Sequence, residues 1–225
     1  MWTTIVRPTP ATSRCRWLRF TSWARLTRLT RTSLPNQYRD LARKRVETRW
    51  TGYQQPEDFG YDFREWVSPY TKTACRTGGI ALVLQDWASA DGLRGKHDPD
   101  IQEYGRTPGL RTNKRLELLL DRVFGLALAD VYATNAFPFI KPGGMSTAIP
   151  VGDVVRAVQL FEAAELAMVQ PTMVLAVGAL AHAALTRVGI TSINVPHPAA
   201  RIGNSEAHEL AWRKALGRGD LALTR

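Results

Sequence analysis

The chain has few cysteines and no long apolar run, and acidic residues are missing from its first part. The two cysteines, Cys15 and Cys75, are too few and too far apart for a disulfide framework or a metal site, which favours a reducing, cytoplasmic setting. No stretch of 18 apolar residues occurs, so we expect no transmembrane helix and no membrane partner. Residues 1–39 hold eight arginines and no acidic residue, and so account for most of the net charge of +10. Total charge therefore does not predict that the rest of the chain binds nucleic acid.

The N-terminal part differs in composition from the rest. Residues 1–32 are rich in Arg, Thr, Ser and Trp without apolar periodicity, which predicts a disordered extension. The same composition also fits an organellar transit peptide, or residues added by an upstream start codon. The hydrophobic content of the whole chain, 44%, is ordinary for a globular protein, and residues 33–225 have the length of one domain.

Short apolar runs alternate with helical patterns after residue 33. Runs rich in Val, Ile and Leu predict buried parallel strands at 80–86, 130–137, 172–178 and 192–197. Helices are predicted at 34–50, 113–125, 151–169, 179–188 and 205–216, with Ser33, Asn113 and Ser205 as caps. This alternation predicts an α/β fold, a three-layer α/β/α sandwich around a four-stranded parallel sheet.

Three of the predicted strands end in residues that are suited to chemistry. Asp86, Asn135 and His197 follow the apolar runs, and carboxyl ends of parallel strands meet at one ligand-binding edge. A carboxylate can orient water or stabilise a cation, an amide can read the edge of a base, and an imidazole held between two prolines can donate to an oxyanion. The alternatives are a capping acid, a turn-forming Asn and a buried His with local partners.

Other polar residues are candidates for the same ligand-binding edge. His97 and Asp98 could join Asp86 at a metal, although their spacing matches no known ligand pattern. We expect His182 to be structural and His208 to be solvated. Basic residues near the presumed mouth predict phosphate contacts, with a solvated charged surface as the alternative; they are Arg106, Lys114, Lys141 and Arg201, with Arg94, Lys96, Arg111 and Arg115 nearby.

Four short motifs in residues 78–216 together resemble the uracil-DNA glycosylase superfamily. They are LQDWA (84–88), TNAFP (134–138), AVGALA (176–181) and HPA (197–199). In that family the first motif is often Gly-Gln-Asp-Pro-Tyr and the last is His-Pro-Ser. Gln85 and Asp86 match the first motif, whereas its Gly, Pro and Tyr are absent, and Ala199 replaces the Ser.

The resemblance implies hydrolysis of the N-glycosidic bond of uracil or another deaminated base flipped out of DNA, in base excision repair by a monofunctional enzyme. Asp86 and His197 would be catalytic, and Arg201 would fill the emptied stack. Base recognition would fall to Gln85, Asn135, Trp87 and Tyr104. Two cysteines cannot hold the four-cysteine iron–sulfur cluster of some members, so no cofactor is expected.

Three other functions remain open from the sequence. The chain could be a non-catalytic relative that binds nucleic acid, or a hydrolase of free nucleosides or nucleotides. A metal-dependent hydrolase using Asp86, His97 and His197 is the third. A monomer is expected in each case that involves a flipped base.

Overall fold

A computed structural model describes residues 36–66, 68, 78–95 and 97–217. The predicted extension at 1–32, the Ser33 cap, both cysteines and Lys96 lie outside these residues. None of the helices in the described part is long and apolar enough to cross a membrane.

Four parallel strands form one sheet, which confirms the predicted parallel α/β fold. They are β1 (Ile80–Asp86), β2 (Tyr132–Phe137), β3 (Met173–Val177) and β4 (Ile193–Val195), in the order β2-β1-β3-β4. β1 has the predicted bounds. β2 begins two residues later than predicted, because Leu128–Asp130 form a single 3-10 turn before it. β4 ends at Val195, so His197 lies in the loop beyond the strand.

Within the described residues, eight α-helices accompany the strands. They are α1 (Asn36–Glu47), α2 (Ala90–Leu93), α3 (Pro99–Tyr104), α4 (Arg111–Phe124), α5 (Val151–Ala157), α6 (Ala163–Val169), α7 (Ala179–Arg187) and α8 (Ser205–Ala215). A π-helical turn, Val158–Glu162, joins α5 to α6 where one regular helix was predicted. A 3-10 turn, Pro56–Phe59, follows α1.

Two of the predicted helix caps are wrong. α4 starts at Arg111, and the buried Asn113 amide instead donates to the Thr107 carbonyl at 2.8 Å. α8 is capped by Asn204, whose side chain accepts from the Ala207 N–H at 3.0 Å, and Ser205 is the first helical residue. Both helices still begin within two residues of the predicted position, because the apolar pattern fixes the helix better than the cap does.

Side chains alternate along β1, so each face of the sheet has its own core. Ala81 and Val83 belong to a cluster with residues of α1, α5, α6 and α7. Leu82 and Leu84 belong to a second cluster with residues of α4 and α8. His208 of α8 is fully buried at this second face, so the prediction that it is solvated is wrong.

Candidate functional site

The strand order places a switch in chain direction at the carboxyl end of the sheet. β1 lies between β2 and β3, so the connection that leaves β1 runs to one side, toward β2, and the connection that leaves β3 runs to the other side, toward β4. Loops separate at such a point and leave a crevice where ligands bind in open parallel sheets. Asp86 is the last residue of β1 and therefore lies at this edge.

The Asp86 carboxylate is held on both of its oxygens. Gln85 Nε2 donates to Oδ1 at 3.1 Å, and the Lys141 ammonium lies 2.9 Å from Oδ2. The Lys141 side chain is 3% exposed and also donates to the Met145 carbonyl at 2.7 Å. Its charge is thus directed into the site, which differs from the surface phosphate contact predicted for it.

Backbone pairing beyond the strands carries Lys141 to Asp86. Ser89 and Lys141 form an isolated parallel bridge, so the loops after β1 and β2 continue the pairing of the two strands. Ala90 N donates to the Lys141 carbonyl at 2.9 Å, and Asp91 N donates to the Gly143 carbonyl at 3.0 Å. The lysine is placed by hydrogen-bonded backbone rather than by a free loop.

Asn135 lies buried on β2, the strand next to β1. Its Cα pairs with that of Leu84 in β1, two residues before Asp86, and its side chain is fully buried. Neither Oδ1 nor Nδ2 finds a hydrogen-bond partner among the described residues. A buried amide left unpaired costs about 1–3 kcal/mol, so its retention here favours a ligand that completes its bonds.

The orientation of the His197 ring is set by its own backbone. Ala199 N–H donates to Nδ1 at 3.1 Å, so a neutral ring carries its proton on Nε2. Burial lowers the pKa of His197 below its ordinary 6.5, and the Asp86 carboxylate offsets part of this effect. The ring is therefore neutral at pH 7 and presents Nε2–H as a donor.

A glycine at the end of β3 lies against the histidine. Gly178 has φ +108°, a conformation that L side chains rarely adopt, and a Cβ added to it would lie 3.6 Å from the Cβ of His197. The turn between β3 and α7 thus supports one side of His197. The AVGALA motif supplies this glycine.

Some of the other predicted site residues make contacts within the protein, and the rest are exposed to solvent. The Trp87 indole packs in a core cluster with Tyr61, Phe63 and Trp66, and its N–H donates to the Gly105 carbonyl at 2.7 Å. Arg106 pairs with Glu117 at 2.6 Å. Three residues remain exposed for contact with a partner: Tyr104, which is 47% exposed at the end of α3, Lys114 and Arg201.

His97, the predicted metal ligand beside Asp86, and His182, predicted to be structural, each have a partner of their own. His97 stacks on Tyr61 with ring centroids 4.5 Å apart, and Nδ1 of His182 lies 2.9 Å from the Ser192 hydroxyl. Among the residues that the structure describes, no group of three or more His, Cys, Asp or Glu side chains is arranged to hold a metal ion.

Sequence reasoning places Asp86, Asn135 and His197 at the carboxyl end of the sheet, as the structure does, but it assigns Lys141 to a phosphate contact and misses its ion pair with Asp86. The available signal was the position of Lys141 directly after the largely apolar run VYATNAFPFI (131–140), which overlaps the predicted strand at 130–137. Comparison with known proteins adds no name to this site: no protein-family model matches the chain, and no curated protein matches it.

Proposed function

We propose that this protein is a DNA glycosylase that hydrolyses the N-glycosidic bond of uracil or another deaminated base flipped out of DNA. The observation that carries the proposal is the buried, unpartnered amide of Asn135 at the same edge as Asp86 and His197. An amide offers one donor and one acceptor side by side, which complements the edge of a pyrimidine or purine.

Each polar group has one task in this reaction. Asn135 bonds the flipped base, and the Nε2–H of His197 donates to the base oxygen on which negative charge develops as the glycosidic bond breaks. The Asp86 carboxylate stabilises the positive charge that develops on the sugar and orients the attacking water. Water adds its oxygen to C1′, the base leaves with the bonding electron pair, and the two protons of water end on the new hydroxyl and the base.

A neutral histidine suits this task. The leaving base carries the negative charge, and a preorganised N–H donor stabilises that charge without first having to be protonated. The lowered pKa of His197, which results mainly from burial, keeps the ring in this state at neutral pH. Its Nδ1 already accepts the Ala199 N–H, so the free donor can only be Nε2.

The test is base release from labelled oligonucleotides that carry uracil, hypoxanthine or xanthine. We expect release of one of these bases, with a rate reduced about 100- to 1000-fold in His197→Ala, since removal of one such donor typically costs that much. His182→Ala is the matched control, because that ring lies on α7 with its Nδ1 at hydrogen-bond distance from the hydroxyl of Ser192, directly before the start of β4. DNA binding without release would favour a non-catalytic relative. Turnover of mononucleosides without salt-dependent DNA binding would favour a nucleoside hydrolase.

A further inference from the structure

Three side chains from neighbouring helices contact the backbone on both sides of His197. Alternate carbonyl oxygens of residues 196–200 each lie at hydrogen-bond distance from a side chain of α4 or α8. The pairs are Trp212 Nε1 with the Pro196 oxygen (2.9 Å), Arg115 Nη1 with the Pro198 oxygen (2.7 Å) and His208 Nε2 with the Ala200 oxygen (3.1 Å). The same short segment contains the Ala199 N–H that orients the His197 ring.

The state of His208 fits a donor role. Its ring is fully buried, and burial lowers its pKa below 6.5, with the neighbouring Arg115 guanidinium lowering it further. The ring is therefore neutral at pH 7, and because the Ala200 carbonyl can only accept, its 3.1 Å contact assigns the proton of the ring to Nε2. Arg115 Nη1, which can only donate, lies 3.1 Å from this Nε2 without a hydrogen bond to it in that tautomer, and its bond to the segment is the one to the Pro198 carbonyl.

We propose that Arg115 and His208 are positioning residues for His197: their bonds to the Pro198 and Ala200 carbonyls hold residues 196–200 so that Nε2 of His197 faces the reacting base. The inference rests on the proposed function, because it is that reaction which gives His197 a donor task. Donors that stabilise transition-state charge must be held within a fraction of an ångström, and a misplacement of about 1 Å can cost about 100-fold in rate.

A purely structural role makes a different prediction. If the two residues only join α4 to α8, their loss lowers stability and affects the rate equally whether His197 is present or not. If they act through His197, their loss has little effect once His197 is gone. The two roles are therefore separated by a double-mutant cycle.

The cycle uses His208→Phe, which keeps a ring but removes the donor, in wild-type and His197→Ala backgrounds. Single-turnover release of uracil, or of whichever base is released, is measured at saturating protein. We expect a loss of about 10- to 100-fold in the first background and less than about 2-fold in the second. His208→Gln, whose amide N–H can reach the carbonyl, should recover most of the rate. Equal losses in both backgrounds would overturn the proposal.

Arg115 provides a second route if His208→Phe does not fold. Arg115→Met should reproduce the loss, and Arg115→Lys should recover part of it. The matched control is Arg122→Ala, which removes contacts between α4 and α8 at Glu206 and Glu209 without touching residues 196–200. We expect its rate to equal that of the wild type, and a comparable loss there would also contradict the proposal.

A readout that needs no catalysis separates this inference from the proposed function. Nitrogen-15 NMR of the His197 ring should report a single Nε2–H tautomer in the wild type and averaging between tautomers in His208→Phe and Arg115→Met. If the wild type releases no base, the proposed function fails and the NMR result alone decides the positioning role. An unchanged His197 spectrum in both variants would reject it.

Discussion

Lys141 and Asp86 form a buried ion pair, with 2.9 Å between Nζ and Oδ2, although they lie 55 positions apart in sequence. The pair joins the end of β1 to the loop after β2. Its two side chains are 3% and 10% exposed, so each charge depends on the other for much of its stabilisation.

Breaking this pair should destabilise the protein. We expect Lys141→Met to lower the free energy of unfolding by about 3–5 kcal/mol, since it leaves the buried Asp86 charge uncompensated. Urea denaturation measures the change. The control is Arg94→Ala, which removes the exposed 2.9 Å pair with Asp91 and should cost no more than about 0.5 kcal/mol. Equal denaturation midpoints for Lys141→Met and the wild type would contradict the interpretation.

The buried amide of Asn135 should lower the stability of the protein, compared with an apolar side chain at this position, while it supports base release. Asn135→Leu replaces a buried, unpaired amide with an apolar group of similar shape, so we expect stability to be unchanged or raised by about 1–3 kcal/mol. Base release should fall at least about 100-fold, because the base loses its partner. Thr134→Val is the matched control: its buried hydroxyl also lacks a partner among the described residues, but on the other side of the strand. Thermal unfolding and base release are measured together, and a loss of stability in Asn135→Leu with normal release would refute the assignment.

The exposed basic residues near the site should determine the salt dependence of DNA binding. We expect Lys114→Ala and Arg201→Ala each to reduce the slope of log K against log salt by about 1, equally for DNA with and without a deaminated base. Lys214→Ala, exposed in the last turn of α8, is the control and should leave the slope unchanged. Fluorescence anisotropy over a salt series gives the three slopes, and identical slopes in all variants would remove these residues from the DNA contact.

Glu162 should make stability depend on pH. Both of its oxygens are buried without a hydrogen-bond partner in the described part of the chain, and burial, followed by the nearby Glu165, raises its pKa well above 4.5. A raised pKa means that the unfolded state loses the proton first, so this carboxyl costs increasing stability as pH rises above 4.5. The free energy of unfolding of Glu162→Gln, compared with that of the wild type, should therefore be higher at pH 8 than at pH 5.

Urea denaturation of both proteins at the two pH values tests this prediction. Glu206→Gln, at an exposed carboxylate of α8, controls for the loss of one acidic residue. The Arg45–Glu165 pair and the Tyr132 hydroxyl, which donates to Glu165 at 2.9 Å, remain in every variant. A constant difference between Glu162→Gln and wild type at both pH values would argue against a raised pKa.

The sheet could be predicted from sequence because its signals are local. β1 has the predicted bounds, since its apolar run ends directly at Gln85 and Asp86. The same reasoning puts Asn135 and His197 at the carboxyl end of the sheet, where the structure also has them. In a parallel sheet, the positions of the strand ends determine which residues meet there.

The parts that sequence reasoning missed depend on contacts between distant residues. Lys141 is positioned by its backbone bridge to Ser89, and the ring of the buried His208 contacts the carbonyl of Ala200. Neither contact leaves a periodic pattern in the sequence. Trp87 follows Asp86 directly, yet its indole joins the aromatic cluster around Phe63, whose segment lies far away in the chain. Local patterns predict elements, whereas long-range pairing determines which side chains enter the site.

The π-helical turn at Val158–Glu162 also determines how this helix would tolerate a deletion. Each residue turns a regular α-helix by about 100°, so one extra residue accommodated in a wider turn leaves the following helix in its former phase. Val154 before the turn and Val169 after it both face the same core cluster. Deletion of one residue within the turn would therefore yield a regular helix that still directs Val154 and Val169 toward the same core cluster.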